Sequence, residues 1–379
     1  MIETIPLNLT DERPGTADWR RSSNDDAVSA AIDYFVERDL YQSTTDIIVD
    51  NKGVKADVFT DDPKMKTELD EYFKLNNALR VQYTDDQEVE PSHSIRIIYL
   101  TDNGVNLGGE SIGVSGLPYE GLYDGAGKNF LAAGRKTIGT YKSLVIGAMS
   151  GVLASNYDML PVHSAIVQAP NGNSVGFSGR GNTGKTTSML SVFERLANVG
   201  FKIVTDDWAM IDETSRRIYP VDYLVSVRPE SIDGLKSINS DDWTKELTQK
   251  VISIEQYQNK IKPLSVPEAF GANMVGEGGV LKAVVFTSLR KLFEDKDGVN
   301  IPVNFQAVDT PSSMGVRLRD DAYHAPEITP SVKTQHPLDY RYTTLSGQLA
   351  CSLVFTRADD SQRKEQTEQM SDWAIRQAA

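Results

Sequence analysis

Hydrophobic and polar residues alternate along the chain in blocks typical of an α/β protein. The stretch "DDAVSAAIDYFVERDL" has the apolar spacing of a helix, and "TDIIVD" and "VKADVFT" read as two strands joined by a glycine-containing turn. The doublet Asp61-Asp62 before Pro63 is typical of a helix start and leads into "KMKTELDEYFKL". With a further strand at "SIRIIYL", this region is predicted to be a small α/β unit.

The pattern becomes sharper in the second half of the chain. A helix over "TIGTYKSLVIGAMSGVLASNY" precedes the strand "VHSAIVQA", an Asn-Gly turn and a second strand, "SVGFSG". An amphipathic helix over "KTTSMLSVFERLANVG" and the strand "FKIVTDD" follow. We therefore predict a polar arm over 1–25, a small α/β domain over 26–125 and a larger α/β domain over 126–379.

Composition narrows the classes of function. The 379 residues are 40% apolar and 24% charged, as in ordinary globular proteins, and the net charge of −14 argues against a nucleic-acid partner. The single cysteine, Cys351, excludes an internal disulfide, and the four histidines lack metal-ligand spacing. The N-terminus has no apolar core like that of a signal peptide, and the longest apolar stretch, Leu144 to Ala154, is too short to span a bilayer. A cytoplasmic protein with no membrane partner is expected.

One segment satisfies two phosphate-binding motifs. Gly179 to Gly184 match G-x-G-x-x-G, the dinucleotide motif, and Lys185 and Thr186 extend the match to G-x-x-x-x-G-K-[ST], the triphosphate loop. In a triphosphate loop the lysine reaches the β and γ phosphates, the hydroxyl binds Mg²⁺, and consecutive amides at a helix N-terminus complete the anion site. The loop also lies deep in the chain after a predicted hairpin, whereas a dinucleotide motif usually opens its domain. Triphosphate binding is the favoured interpretation.

Acidic residues end the next predicted strand. Asp206 and Asp207 close "FKIVTDD", which in a parallel sheet would run beside the loop strand and open at the same edge. One aspartate can hold Mg²⁺ with Thr186, and the other can accept a proton from an attacking hydroxyl. Adjacent strand residues point to opposite faces, so the alternative is that only one of them works. His163, on the strand before the loop strand, is either structural or catalytic.

The order of these features resembles a family. The stretch "VHSAIVQAPNGNSVGFSGRGNTGKTTSMLSVFERLANVGFKIVTDDWAMI" resembles the catalytic core of HPr kinase/phosphorylase. Its relatives include phosphoenolpyruvate carboxykinase and HPr-kinase-like enzymes that phosphorylate other hydroxyls, among them tailoring kinases of lasso peptides. The resemblance covers about residues 160 to 212 and implies a P-loop kinase core with a mixed sheet, beside a smaller N-terminal α/β domain. Ser226 stands where HPr kinase has a glutamate, which argues against HPr kinase itself.

The resemblance also implies roles for matching positions. Asp207 would be the base that activates the acceptor hydroxyl, His163 would lie near the transferred phosphoryl group, and Arg228 occupies the place of a family arginine. Asp206 and Thr186 would hold Mg²⁺. ATP would be bound by the loop residues Gly179, Gly181, Asn182, Thr183, Gly184, Lys185, Thr186 and Thr187.

The resulting hypothesis is an ATP- and Mg²⁺-dependent kinase. Its acceptor would be a hydroxyl on a peptide, a protein or a small molecule, and the N-terminal unit is the expected contributor to acceptor recognition. One rival is a nucleotide-binding switch or ATPase whose acceptor is water, and another is a dinucleotide-binding oxidoreductase. The resemblance is also compatible with assembly into a homo-oligomer.

Overall fold

A computed structural model provides the fold of the chain. It describes residues 19–38, 40–83, 89–101, 105–107, 110–112, 121–134, 138–179, 183–225, 235, 264–288, 306–307, 318–319, 337–355 and 360–379.

The N-terminal part is built around a six-stranded sheet covered by helices. Its elements are β1 (Trp19–Arg21), α1 (Asp25–Val36), β2 (Tyr41–Val49), β3 (Lys52–Thr60), α2 (Pro63–Tyr83), β4 (His93–Leu100), β5 (Val105–Leu107), β6 (Glu110–Ile112), β7 (Gly121–Tyr123), β8 (Asn129–Ala133) and α3 (Ile138–Asn156). The strand order is β1-β7-β8-β4-β3-β2, and β5 pairs with β6 separately. Strands β3, β4 and β8 are parallel, so this part is an α/β unit. Its sheet also includes β1, which lies in the predicted polar arm, and β8, which lies beyond the predicted boundary at residue 125.

Local chemistry explains two boundaries in this unit. The turn between β2 and β3 consists of Asp50 and Asn51, with φ of 48° and 59°, because Asp and Asn tolerate the left-handed conformation that tight hairpins need. The expected turn glycine, Gly53, lies inside β3 instead. Asp62 accepts hydrogen bonds from the Lys64 and Met65 amides, which caps α2 as predicted.

The second sheet carries the phosphate-loop segment. Its strands and the surrounding elements are β9 (Met159–Gln168), β10 (Asn173–Ser178), α4 (Lys185–Asn198), β11 (Lys202–Thr205), β12 (Trp208–Asp212), β13 (Arg217–Pro220), β14 (Leu224–Val225), β15 (Leu264–Ser265), α5 (Val266–Phe270), a 3-10 turn (Ala272–Met274), β16 (Gly279–Ser288), β17 (Gln306–Ala307), α6 (Leu338–Ser346), β18 (Ala350–Phe355) and α7 (Asp360–Ala378). The eight-stranded sheet runs β10-β9-β12-β13-β16-β18-β17, with β11 on β9 and an extra β10–β16 pairing. Because the sheet contains both antiparallel and parallel pairs, it is mixed.

One prediction about strand neighbours is wrong. Strand β11, which precedes the two aspartates, does not run beside the loop strand β10, because β9 lies between them and pairs antiparallel with both. Since β10 and β11 are both antiparallel to β9, they run in the same direction on its two sides. Their carboxyl ends therefore meet the same part of β9, near His163 and Ser164.

Helix α3 joins the two sheets. One apolar core contains Ile97 of β4, Leu144 and Met149 of α3, and Trp208 and Met210 of β12. The stretch from Leu144 to Ala154 is buried throughout, as predicted for a core helix. The predicted domain boundary near residue 125 falls between β7 and β8, which pair within the first sheet. Among the described residues, no helix is long and apolar enough to cross a membrane.

The end of α3 is held by an arginine from the C-terminal part. Arg341 of α6 is buried and donates to the carbonyl oxygens of Ala154 (2.7 Å) and Met159 (3.0 Å). Its guanidinium also pairs with Glu213. A cation at a helix C-terminus complements the negative end of the helix dipole, so Arg341 fixes α3 against the second sheet.

Candidate active site

A segment of six residues connects β10 to α4. Strand β10 ends at Ser178 and α4 begins at Lys185. Gly184 precedes the helix with φ of 93°, a conformation that favours glycine, and makes no side-chain cap. The positive end of the α4 dipole lies at this segment, where an anion would be stabilised. Residues 180–182, which include Gly181 and Asn182, lie outside the described residues.

Gly179 is required by close contacts at the start of this loop. A Cβ added at Gly179 would lie 2.4 Å from both the Thr183 and Thr287 hydroxyl oxygens and 2.9 Å from the Thr287 carbonyl oxygen. The two hydroxyls lie 3.0 Å apart, and Thr287 of β16 also donates to the Ser178 carbonyl. The Thr183 side chain therefore braces this segment against β16.

Replacing Gly179 with alanine is expected to lower the free energy of unfolding by about 1–3 kcal/mol, because the methyl group must displace backbone. The matched control is Gly176→Ala, three residues earlier on β10, where an added Cβ meets nothing closer than 3.7 Å. Urea unfolding followed by circular dichroism measures both. Equal effects of the two substitutions would contradict this account of the loop.

Three predicted site residues converge on one point. The Nε2 atom of His163 lies 2.5 Å from Oδ1 of Asp207 and 3.1 Å from Nζ of Lys185. His163 sits on β9 opposite Trp208 and stacks on its ring, with centroids 5.4 Å apart and planes at 11°. Lys185 is buried at the first position of α4. The loop lysine, the histidine and one aspartate thus form a continuous chain of contacts.

Hydrogen-bond chemistry decides which of these three side chains donates a proton and which accepts one. A single ring nitrogen cannot both donate to Asp207 and accept from Lys185. Burial by itself would raise the pKa of the Asp207 carboxyl, but Lys142, His163 and Lys185 outweigh it and hold that pKa well below its usual range. Since Asp207 is ionised, Nε2 carries the proton and donates to it. The ammonium protons of Lys185 are then directed to acceptors other than His163.

A second lysine holds the other oxygen of Asp207. Nζ of Lys142, on α3, lies 3.1 Å from Oδ2 of Asp207 and 2.9 Å from Oδ2 of Asp222. Burial lowers the pKa of Lys142, but Asp222, Tyr72 and Asp207 reverse the direction and raise it well above its ordinary value. Lys142 is therefore a fixed cation between two carboxylates.

The remaining predicted residues are partly described. Asp206 is buried at the bend between β11 and β12, and Thr186 and Thr187 are half-buried on the first turn of α4. A cation held by Thr186 and Asp206 stays a prediction. Among the described residues, no group of three or more His, Cys, Asp and Glu side chains forms a metal site. Arg228 lies outside the described residues.

Sequence reasoning missed Lys142 and Asp222. The one sequence signal was a lysine at the start of an otherwise apolar helix, since the rest of the stretch from Tyr141 to Ala154 carries no charge. Asp222 follows β13 in "YPVDYL" with nothing nearby to mark it. Both residues reach the site only through the packing of α3 on the second sheet.

The sheet disfavours the dinucleotide alternative. A dinucleotide-binding domain is doubly wound and mostly parallel, with the loop strand between parallel neighbours. Here β10 has the antiparallel β9 on one side and the parallel β16 on the other.

The fold and the loop define the class of the protein coarsely, as a mixed α/β protein with a triphosphate-type loop sequence between a strand and a helix. No protein-family profile matches the chain, and no curated protein matches it. Among solved structures, the chain is similar to the HPr(Ser) kinase/phosphatase from Coxiella burnetii, at 14% identity over 39% of this chain and 71% of that chain, with a TM-score of 0.24. A TM-score this low carries no argument for function.

Proposed function

We propose that the protein is a kinase that transfers the γ-phosphoryl group of ATP to a hydroxyl group. The observation that carries the proposal is the contact chain from the loop lysine to an ionised carboxylate, Lys185 to His163 to Asp207. The lysine of a triphosphate loop lies beside the β and γ phosphates. A carboxylate two contacts away is within reach of an acceptor attacking the γ phosphorus.

The proposed transfer needs little covalent chemistry from the protein. The acceptor oxygen forms a bond to the γ phosphorus, the bond between that phosphorus and the ADP oxygen breaks, and the hydroxyl proton passes to Asp207. A carboxylate with so low a pKa is a weak base. Asp207 therefore orients the hydroxyl first and takes its proton late, once bond formation to phosphorus has made that proton more acidic.

Electrostatics around the loop favour a divalent cation. Lys142 and Lys185 are balanced by Asp207 and Asp222, so these four side chains provide no net positive charge for a triphosphate. The hydroxyl of Thr186 and the carboxylate of Asp206 are hard oxygen ligands of the kind that Mg²⁺ prefers, and they would hold it. A bound Mg²⁺ would supply charge neutralisation at the phosphates.

The acceptor is proposed to be an alcohol on a peptide, a protein or a small molecule. The N-terminal sheet and its helices are the proposed recognition element, because α3 brings a side chain of that unit to within 3.1 Å of Asp207. Arg228 is proposed as a further cation near the transferred group.

The test is incubation of the full-length protein with Mg²⁺, γ-labelled ATP and panels of peptides and small alcohols. Labelled acceptor detected by mass spectrometry is the expected result. Formation of ADP and free phosphate alone, with every acceptor panel unmodified, would support the ATPase alternative. Tighter binding of NAD than of ATP would support the oxidoreductase alternative.

A further inference from the structure

We propose that Lys142 is the positioning residue of Asp207, so that the N-terminal part of the chain completes the catalytic site. The expected change in kcat rests on the proposed function. Its structural content is independent, because it concerns contacts that Lys142 makes with Asp207 and Asp222.

The geometry fixes both oxygens of Asp207. Oδ1 is held by His163 at 2.5 Å and Oδ2 by Lys142 at 3.1 Å. An aspartate carboxylate on a bend can rotate about two side-chain torsions, and a partner on each oxygen removes that freedom. Two of its roughly four lone-pair directions are used, so the others stay available to an acceptor hydroxyl.

Lys142 is itself held in place from the opposite side. Its Nζ donates to Oδ2 of Asp222 at 2.9 Å, and Asp222 is fully buried with its Oδ1 accepting from the Leu224 amide at 3.0 Å. The ring of Tyr72 on α2 lies 4.9 Å from the ammonium. Two carboxylate partners and a neighbouring aromatic ring therefore restrict the buried Lys142 ammonium to one position.

Helix α2 fixes the segment that carries Asp222. Asn76, one turn after Tyr72 and also buried, donates to the Val221 carbonyl at 2.6 Å and accepts from the Tyr223 amide at 2.8 Å. This pair of bonds spans the peptide groups on both sides of Asp222. Helices α2 and α3 of the N-terminal part therefore determine where Lys142 and, through it, Asp207 lie.

The test compares Lys142→Met with the double variant Lys142→Met/Asp222→Asn. The single variant leaves the buried Asp222 and the half-buried Asp207 without their shared cation, which can unfold the protein, whereas the double variant removes one charge of each sign. Lys66→Met is the matched control, because Lys66 is ion-paired with Asp70 on the surface of α2. Circular dichroism confirms folding of each protein.

Two readouts are made at one fixed pH. The first is the long-range proton–nitrogen spectrum of the histidine rings, where only four histidines contribute and His163→Gln assigns the resonance of interest. We expect the hydrogen-bonded Nε2 proton of His163 in the unsubstituted protein and in the control, and its loss in the folded Lys142 variants. The second is steady-state transfer, where kcat should fall by about 10- to 100-fold with KM for ATP changed less than about threefold.

The readouts separate this inference from the proposed function. Retention of the His163 resonance in a folded Lys142 variant would overturn the inference, and so would its loss with kcat unchanged. If the unsubstituted protein phosphorylates no acceptor while the resonance disappears as expected, the positioning role stands and the kinase proposal fails.

Discussion

Replacing Asp207 with asparagine is expected to lower the rate of phosphoryl transfer by about 10²- to 10⁴-fold, the range that a positioned general base contributes. Asparagine keeps the size of the side chain and an acceptor oxygen for His163, but it cannot take up the hydroxyl proton. Nucleotide affinity is not expected to weaken, because the substitution removes a negative charge from the neighbourhood of the phosphates. Single-turnover transfer and ADP binding by calorimetry measure the two effects separately.

The control for this prediction is Asp70→Asn, which removes an exposed carboxylate paired with Lys66 on α2. It should leave both transfer and ADP binding unchanged, since exposed ion pairs contribute little. Transfer by the Asp207 variant at a rate within about tenfold of the unsubstituted protein would remove Asp207 as the base. Asp206 would then be the next candidate.

Local patterns were sufficient to predict most of the elements around the site. The hairpin of β9 and β10, helix α4 and the strand before the two aspartates all form where hydrophobic spacing and turn residues indicate. The shared sheet edge was predicted for the aspartates and the loop from strand neighbours that proved wrong, and the position of His163 was implied only by the family resemblance. The helices and strands themselves depend on hydrophobic spacing and turn residues within each segment, so local pattern predicts them.

Sheet order and the charge network could not be predicted in the same way. Nothing in "FKIVTDD" states whether its neighbour is β9 or β10, because an apolar strand pairs equally well with either. The Lys142–Asp222 pair spans 80 positions and depends on α3 packing against both sheets. Such long-range contacts follow from the tertiary arrangement and leave only an isolated charged residue in the sequence.

The network also explains why the site tolerates so much buried charge. An isolated buried ion costs several kcal/mol, and a buried pair recovers that cost only when its remaining hydrogen-bonding groups are also satisfied. Here Asp207 has an ammonium and a ring N–H partner, and Asp222 has an ammonium partner and also accepts from a backbone amide. Loss of any one cation therefore affects the site as a unit, and the effects of single substitutions are not expected to add.

Replacing Lys185 with alanine is expected to weaken ATP and ADP binding by about 10- to 100-fold and to lower kcat further. The first figure corresponds to about 1.5–3 kcal/mol for a hydrogen bond to a charged group. Because the lysine of a triphosphate loop reaches the β and γ phosphates, AMP affinity should stay within about threefold. Calorimetric titrations with ATP, ADP and AMP measure how far the preference for ATP and ADP over AMP is lost.

Lys202→Ala is the matched control, since Lys202 is an exposed lysine on β11 in the same sheet. It should leave all three nucleotide affinities unchanged. An unaltered affinity of the Lys185 variant for ATP, or an equal loss for ATP and AMP, would mean that the lysine does not touch the terminal phosphates. The loop would then lack the property that distinguishes a triphosphate site from a dinucleotide site. The kinase proposal would then have no basis for binding the terminal phosphates of ATP.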